Sequence, residues 1–91
     1  MNVIMKFGGT SVADAEAMSR VIGIVRDQIT RHPTDRPPVV VVSPMSKVTD
    51  RLVEVGRLGG EGEGERAAAL VGELLARHIT VASSLVSGAP L

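Results

Sequence analysis

The chain has 91 residues, no cysteine, and ten basic against ten acidic side chains. That length allows one domain at most, with only part of its apolar surface hidden from water, and the absent thiols exclude a disulfide framework or a thiolate metal site. The cancelled charge leaves no basic face for nucleic acid.

Hydrophobic residues make up 44% of the chain and aromatics 1%, so a core must be built from Val, Leu, Ile, Ala and Met, with Phe7 as the whole aromatic supply. His32 and His78 lie far apart in sequence, and a zinc site is not expected. No apolar run approaches the ~20 residues of a membrane span, and Lys6 and Gly8 fall where a signal peptide would be apolar. The chain therefore reads as soluble and cytoplasmic.

Asn2 to Phe7 predicts a first strand, its Val3, Ile4 and Met5 running together as in a strand covered on both faces, and so central in its sheet. Gly8, Gly9, Thr10 and Ser11 follow. Ser11 with Asp14 resembles a helix N-cap with an acid in the first turn, which starts a helix near Val12 or Ala13. Met18, Val21, Ile22, Val25 and Ile29 then form one apolar stripe, carrying the helix to about Arg31.

Pro33, Pro37 and Pro38 make the next segment a turn. The unbroken Val39–Val42 run predicts a second strand, parallel to the first through a right-handed crossover. A second helix is expected from Lys47 to Thr49 onward, with Ser46 as its cap, until Gly59 and Gly60 stop it. The GGEGEG run over 59–64 reads as a hinge-like loop, and a third helix extends from Glu65 for about five turns until Ser87–Pro90 close it. The expected fold is α/β with a parallel-type sheet, two strands and three helices. One sheet edge and apolar helix faces are left uncovered.

The chemistry concentrates in two loops at the carboxyl ends of the two strands, where open α/β sheets hold their ligands. The first, IMKFGGTSV over residues 4–12, places a lysine at a strand end beside a glycine pair with bare backbone N–H groups, which suits an anion such as phosphate. The residue types fit a solvated lysine after a glycine turn equally well. Neither GxxxxGK[ST] nor GxGxxG is present. In the second loop, Ser43 and Thr49 carry hydroxyls able to bond a carboxylate, while helix capping explains Ser46 and Thr49 as readily. His78, Met18 and Met45 read as packing or structural residues.

IMKFGGTSV resembles the N-terminal signature of aspartokinases, in the amino-acid kinase family. VVVVSPMSKVTDRL over 39–52 is similar to a second signature of that family, commonly VVVSAMSGVTDxL, and LLARHITVASSL over 74–85 is a weaker third similarity. The resemblance implies the N-terminal part of a three-layer αβα amino-acid kinase fold. It further implies transfer of the ATP γ-phosphoryl group to the β-carboxylate of L-aspartate, the opening step of lysine, threonine and methionine biosynthesis, in a homo-oligomeric parent.

By that resemblance Lys6, Gly8, Gly9, Thr10 and Ser11 hold the ATP phosphates, Lys6 being also catalytic. Ser43 and Thr49 bind aspartate, and Mg2+ is bound through the ATP phosphates, with no protein metal ligands in the segment. Two departures stand in the second loop. Pro44 replaces a usual alanine, and Lys47 replaces a small residue, often glycine, where a required positive φ would cost lysine about 1 kcal/mol or more.

The family's remaining site residues and any ACT domains fall outside residues 1–91. The chain is therefore expected to be a catalytic domain truncated on its C-terminal side and inactive alone. Another member of the family acting on a different substrate, or a non-catalytic phosphate-binding α/β module, is the alternative.

Overall fold

The computed structural model describes residues 2–86. In chain order it contains β1 (Ile4–Phe7), a 3₁₀ turn (Gly9–Val12), α1 (Ala15–Arg31), β2 (Val39–Val42), α2 (Val48–Gly60) and α3 (Gly64–Leu85). The chain divides into two compact units, residues 1–46 and 47–91.

In the first unit β1 and β2 pair in parallel, Ile4 opposite Val39 through Phe7 opposite Val42. Bonds just beyond the strands extend the ladder at both ends: Val39 N–H donates to Val3 C=O at 2.9 Å and Ser43 N–H to Phe7 C=O at 3.0 Å. This is the expected parallel pair, and with the three helices it gives an α/β fragment. The strands are not the covered central strands their composition predicts. Among the described residues the sheet has only two strands, so each is an edge, and the four valines of β2 are 41–58% exposed.

Helix α1 starts later than expected because the cap is Asp14, not Ser11. The Asp14 carboxylate accepts the Ala17 N–H at 2.8 Å and its backbone carbonyl accepts the Met18 N–H at 3.0 Å. Ser11 instead belongs to the 3₁₀ turn, with its N–H on Gly8 C=O at 3.0 Å. The expected stripe is only partly covered: Ala17 and Val21 are buried and Met18 and Val25 half-buried, but Ile22 and Ile29 stay exposed. The helix ends at Arg31, where His32 turns out of helical geometry ahead of the proline segment.

In the second unit α2 packs on α3, with Leu58 and Leu74 buried. The junction is tighter than a hinge over 59–64. Gly59 and Gly60 complete α2 and Gly64 begins α3, which leaves Glu61–Glu63 as the whole connection. Gly62 has φ +79°, its N–H donates to Gly59 C=O, and Glu63 N–H donates to Leu58 C=O at 2.9 Å. That is the Schellman pattern, which satisfies orphan helix carbonyls and favours glycine at the left-handed residue. One glycine of the run is thus conformationally required, and the others are helical.

The charged side chains of the helices pair along their own surfaces. Arg57 bonds both Glu54 and Glu61, and Arg66 bonds Glu63 at 2.9 Å. Exposed pairs of this spacing contribute little to stability. The hydrogen bond from Arg57 holds the Glu54 carboxyl below its ordinary range, reinforced by the guanidinium charge. No helix among the described residues is long and apolar enough to cross a membrane.

Two measurements check these local assignments. Asp14→Ala is expected to lower stability by about 1 kcal/mol in a urea titration, because the Ala17 amide loses its acceptor. Arg57→Ala is expected to move the Glu54 titration upward by NMR. With the folded value depressed, the pair's small stabilisation is present above the unfolded carboxyl value and fades as pH falls through the folded one.

Candidate functional site

The two strands leave their parallel pair at the same end, so the loops after Phe7 and after Val42 emerge side by side. They are joined by backbone. Ser46 N–H donates to Gly9 C=O at 3.1 Å, beyond the Ser43–Phe7 bond that closes the ladder. A Cβ built on Gly9 would lie 3.1 Å from the Pro44 carbonyl oxygen and 3.5 Å from the Ser46 backbone nitrogen. Gly9 is therefore glycine for contact with the second loop, since a side chain would force two backbones apart.

Gly8 differs. It is in an extended conformation open to any residue, and a Cβ there would meet nothing within 4 Å. Nothing among the described residues requires glycine at this position, and the space over it is open to an approaching group.

Lys6 is exposed on β1 and shares its strand face with Ile4, whereas Met5 and Phe7 on the opposite face are half-buried. Its position opposite Val41, one residue short of the strand end, puts a cation just before the glycine pair. Thr10 and Ser11 follow on the 3₁₀ turn, both exposed. Among the described residues no acceptor takes the Gly9 and Thr10 amides. An exposed ammonium, open amides and an unobstructed glycine are the equipment of an anion site.

A depression of about 330 Å3 is lined by Thr10, Ser11 and Arg20 on its polar side and by Phe7, Ala17, Val21 and Ile24 on its apolar side. Its one cation, Arg20, is paired with Glu16 at 3.3 Å. It does not resemble a phosphate cradle: Thr10 and Ser11 line it, while Lys6, Gly8 and Gly9 lie outside its lining.

Ser43 is half-buried, in the first unit with Lys6 and the glycines. Thr49 belongs to the second unit, exposed in the first turn of α2. The helix does not start as a Ser46 cap would start it. The residue at the cap is Lys47, with φ 69° and ψ 0° and no side-chain cap bond, and Thr49 lies inside the helix. Capping therefore does not account for Thr49. The left-handed backbone meets the condition under which lysine at 47 is strained, by about 1–2 kcal/mol.

Sequence reasoning identified the loops but missed the part played by Pro44 and Ser46, whose backbone atoms meet Gly9. A carbonyl and an amide carry no residue-type signature. The placement of Met45 as a packing residue agrees with its burial, and His78 donates from Nδ1 to the Leu74 carbonyl at 2.6 Å, a bond within its own helix.

A discriminating pair of substitutions follows from the glycines. Gly9→Ala is expected to destabilise the fold by about 1–3 kcal/mol through overpacking against Pro44, whereas Gly8→Ala should leave the denaturation midpoint within about 0.5 kcal/mol of the parent. Chemical denaturation of the two variants checks both.

Residues 1–88 match the family model for the amino acid kinase family. The chain is 40% identical over 83 residues to an aspartokinase of Chlamydia trachomatis, covering 91% of this chain and 17% of that protein. It is 34% identical over 88 residues to a chloroplastic bifunctional aspartokinase/homoserine dehydrogenase of Zea mays, covering 97% of this chain and 9% of that protein. A chloroplastic aspartokinase of Arabidopsis thaliana is 45% identical over 56 residues, covering 62% of this chain and 9% of that protein. The chain thus spans less than a fifth of the length of each of these relatives. No solved structure matches significantly.

Proposed function

Because the chain belongs to the amino acid kinase family, we propose that it is the amino-terminal part of the catalytic domain of an aspartate kinase. The parent transfers the γ-phosphoryl group of ATP to the β-carboxylate of L-aspartate, giving 4-phospho-L-aspartate for lysine, threonine and methionine biosynthesis. The observation that carries this reading is the joining of the two loops by Ser46 N–H on Gly9 C=O. It brings the glycine loop and the Ser43 loop to one end of the sheet. The aspartokinase relatives support the choice of reaction.

In this reading Lys6 and the backbone of Gly8 and Gly9 hold the ATP phosphates, with Thr10 and Ser11 as nearby hydroxyl donors. The open space over Gly8 fits close approach of a phosphate, and the exposed Lys6 ammonium fits its charge. Phosphoryl transfer asks the protein chiefly for positioning and charge neutralisation, since charge spreads over the oxygens of the group in flight. Lys6 supplies a fixed positive charge there.

Ser43 and Thr49 are assigned to the aspartate carboxylates as hydroxyl donors. Mg2+ would enter with the ATP phosphates and would supply neutralisation of their charge.

The parent is expected to be homo-oligomeric and cytoplasmic, and the 91-residue chain is expected to be inactive by itself. The test is hydroxylamine trapping of aspartyl phosphate from ATP and L-aspartate by the full-length parent. Lys6→Ala should reduce the trapped product about a hundredfold or more, the scale of losing one charge-stabilising donor. Undiminished turnover in that variant would remove Lys6 from the mechanism.

A further inference from the structure

The four residues after β2 are held at both ends by backbone. Ser43 N–H donates to Phe7 C=O at 3.0 Å, and Ser46 N–H donates to Gly9 C=O at 3.1 Å. Between them Met45 is buried, and the Pro44 carbonyl oxygen lies 3.1 Å from the place a Gly9 Cβ would take. Pro44 itself is exposed, so burial of its ring is not what packs the segment. The ring acts on conformation instead. It locks φ at 44 and disfavours the helical region for Ser43, in accord with the way Ser43 carries the parallel ladder one bond beyond the strands. The amides that join the loops belong to Ser43 and Ser46, so the N–H that proline lacks breaks neither bond.

We propose that Pro44 is a positioning residue: by restricting the second loop before substrate arrives, it holds Ser43 where its hydroxyl can meet L-aspartate. The physical basis is the number of conformations open to the loop when it leaves its seat. Alanine keeps the Cβ but frees φ, and glycine frees the backbone further, so each step enlarges that set. The seated loop is the same in all three, and the extra ordering then falls on aspartate binding. The part played by Ser43 rests on the aspartate kinase reading, whereas the restriction of the loop by Pro44 does not.

The experiment compares Pro44→Ala and Pro44→Gly with the parent in the full-length protein, by hydrogen exchange of the segment containing the Ser43 and Ser46 amides and by steady-state kinetics. Pro44→Ala is expected to exchange about two- to fivefold faster there, and Pro44→Gly faster again. KM for L-aspartate should rise in the same order, with kcat and KM for ATP little changed. Exchange in Pro44→Ala equal to or slower than that of the parent overturns the proposal. So does faster exchange with an unchanged KM for L-aspartate, because proline would then brace the loop without positioning Ser43. If the parent does not phosphorylate L-aspartate, the functional reading fails and the role given to Ser43 fails with it, while exchange alone still decides whether Pro44 restrains the loop.

Discussion

The first unit depends on one close backbone approach, where Gly9 lies against the Pro44–Ser46 segment and accepts the Ser46 N–H. Parallel pairing of β1 and β2 carries both chain segments out at one end of the sheet, but pairing alone would let the loops diverge. A missing Cβ and a single amide–carbonyl bond keep them together. The contact is made by groups that every residue has, so its specificity resides in what Gly9 lacks.

Around that contact the chain meets its backbone requirements with little help from side chains. Asp14 caps α1, but α2 begins at a strained lysine with no side-chain cap, and the α2–α3 connection uses a single left-handed glycine. Apolar burial is modest: Val12, Ala17, Val21 and Met45 in the first unit, and Val48, Leu58 and Leu74 in the second. The exposed valines of β2 and the exposed Ile22, Ile24 and Ile29 of α1 are the complement of that small core. An exposed apolar surface of this extent is in keeping with the proposal that the chain is part of a larger catalytic domain.

The two glycines of the KFGG sequence are alike in composition and different in cause. Gly9 is required by contact within the chain, and Gly8 by nothing among the described residues. Only the second loop's proximity separates a packing glycine from one left open to a ligand. Lys47 is a further position where residue type misleads, because lysine favours right-handed backbone and yet has φ 69° here.

The sequence by itself determined the order and type of the elements, because hydrophobic period, β-branched runs and proline placement are local signals. Val39–Val42 is bounded as read and α1 ends at Arg31 as its periodicity does, whereas α2 runs on through Gly59 and Gly60. It also determined membership of the amino acid kinase family, through residues clustered in two short loops. Tertiary structure alone decided that Asp14 and not Ser11 caps α1, that Lys47 is left-handed, and that Gly9 rests against the second loop. The Gly9 contact depends on where a carbonyl and an amide of the second loop arrive, and the Asp14 cap on which nearby amides its carboxylate and carbonyl meet. Backbone groups leave no mark in the sequence of residue types.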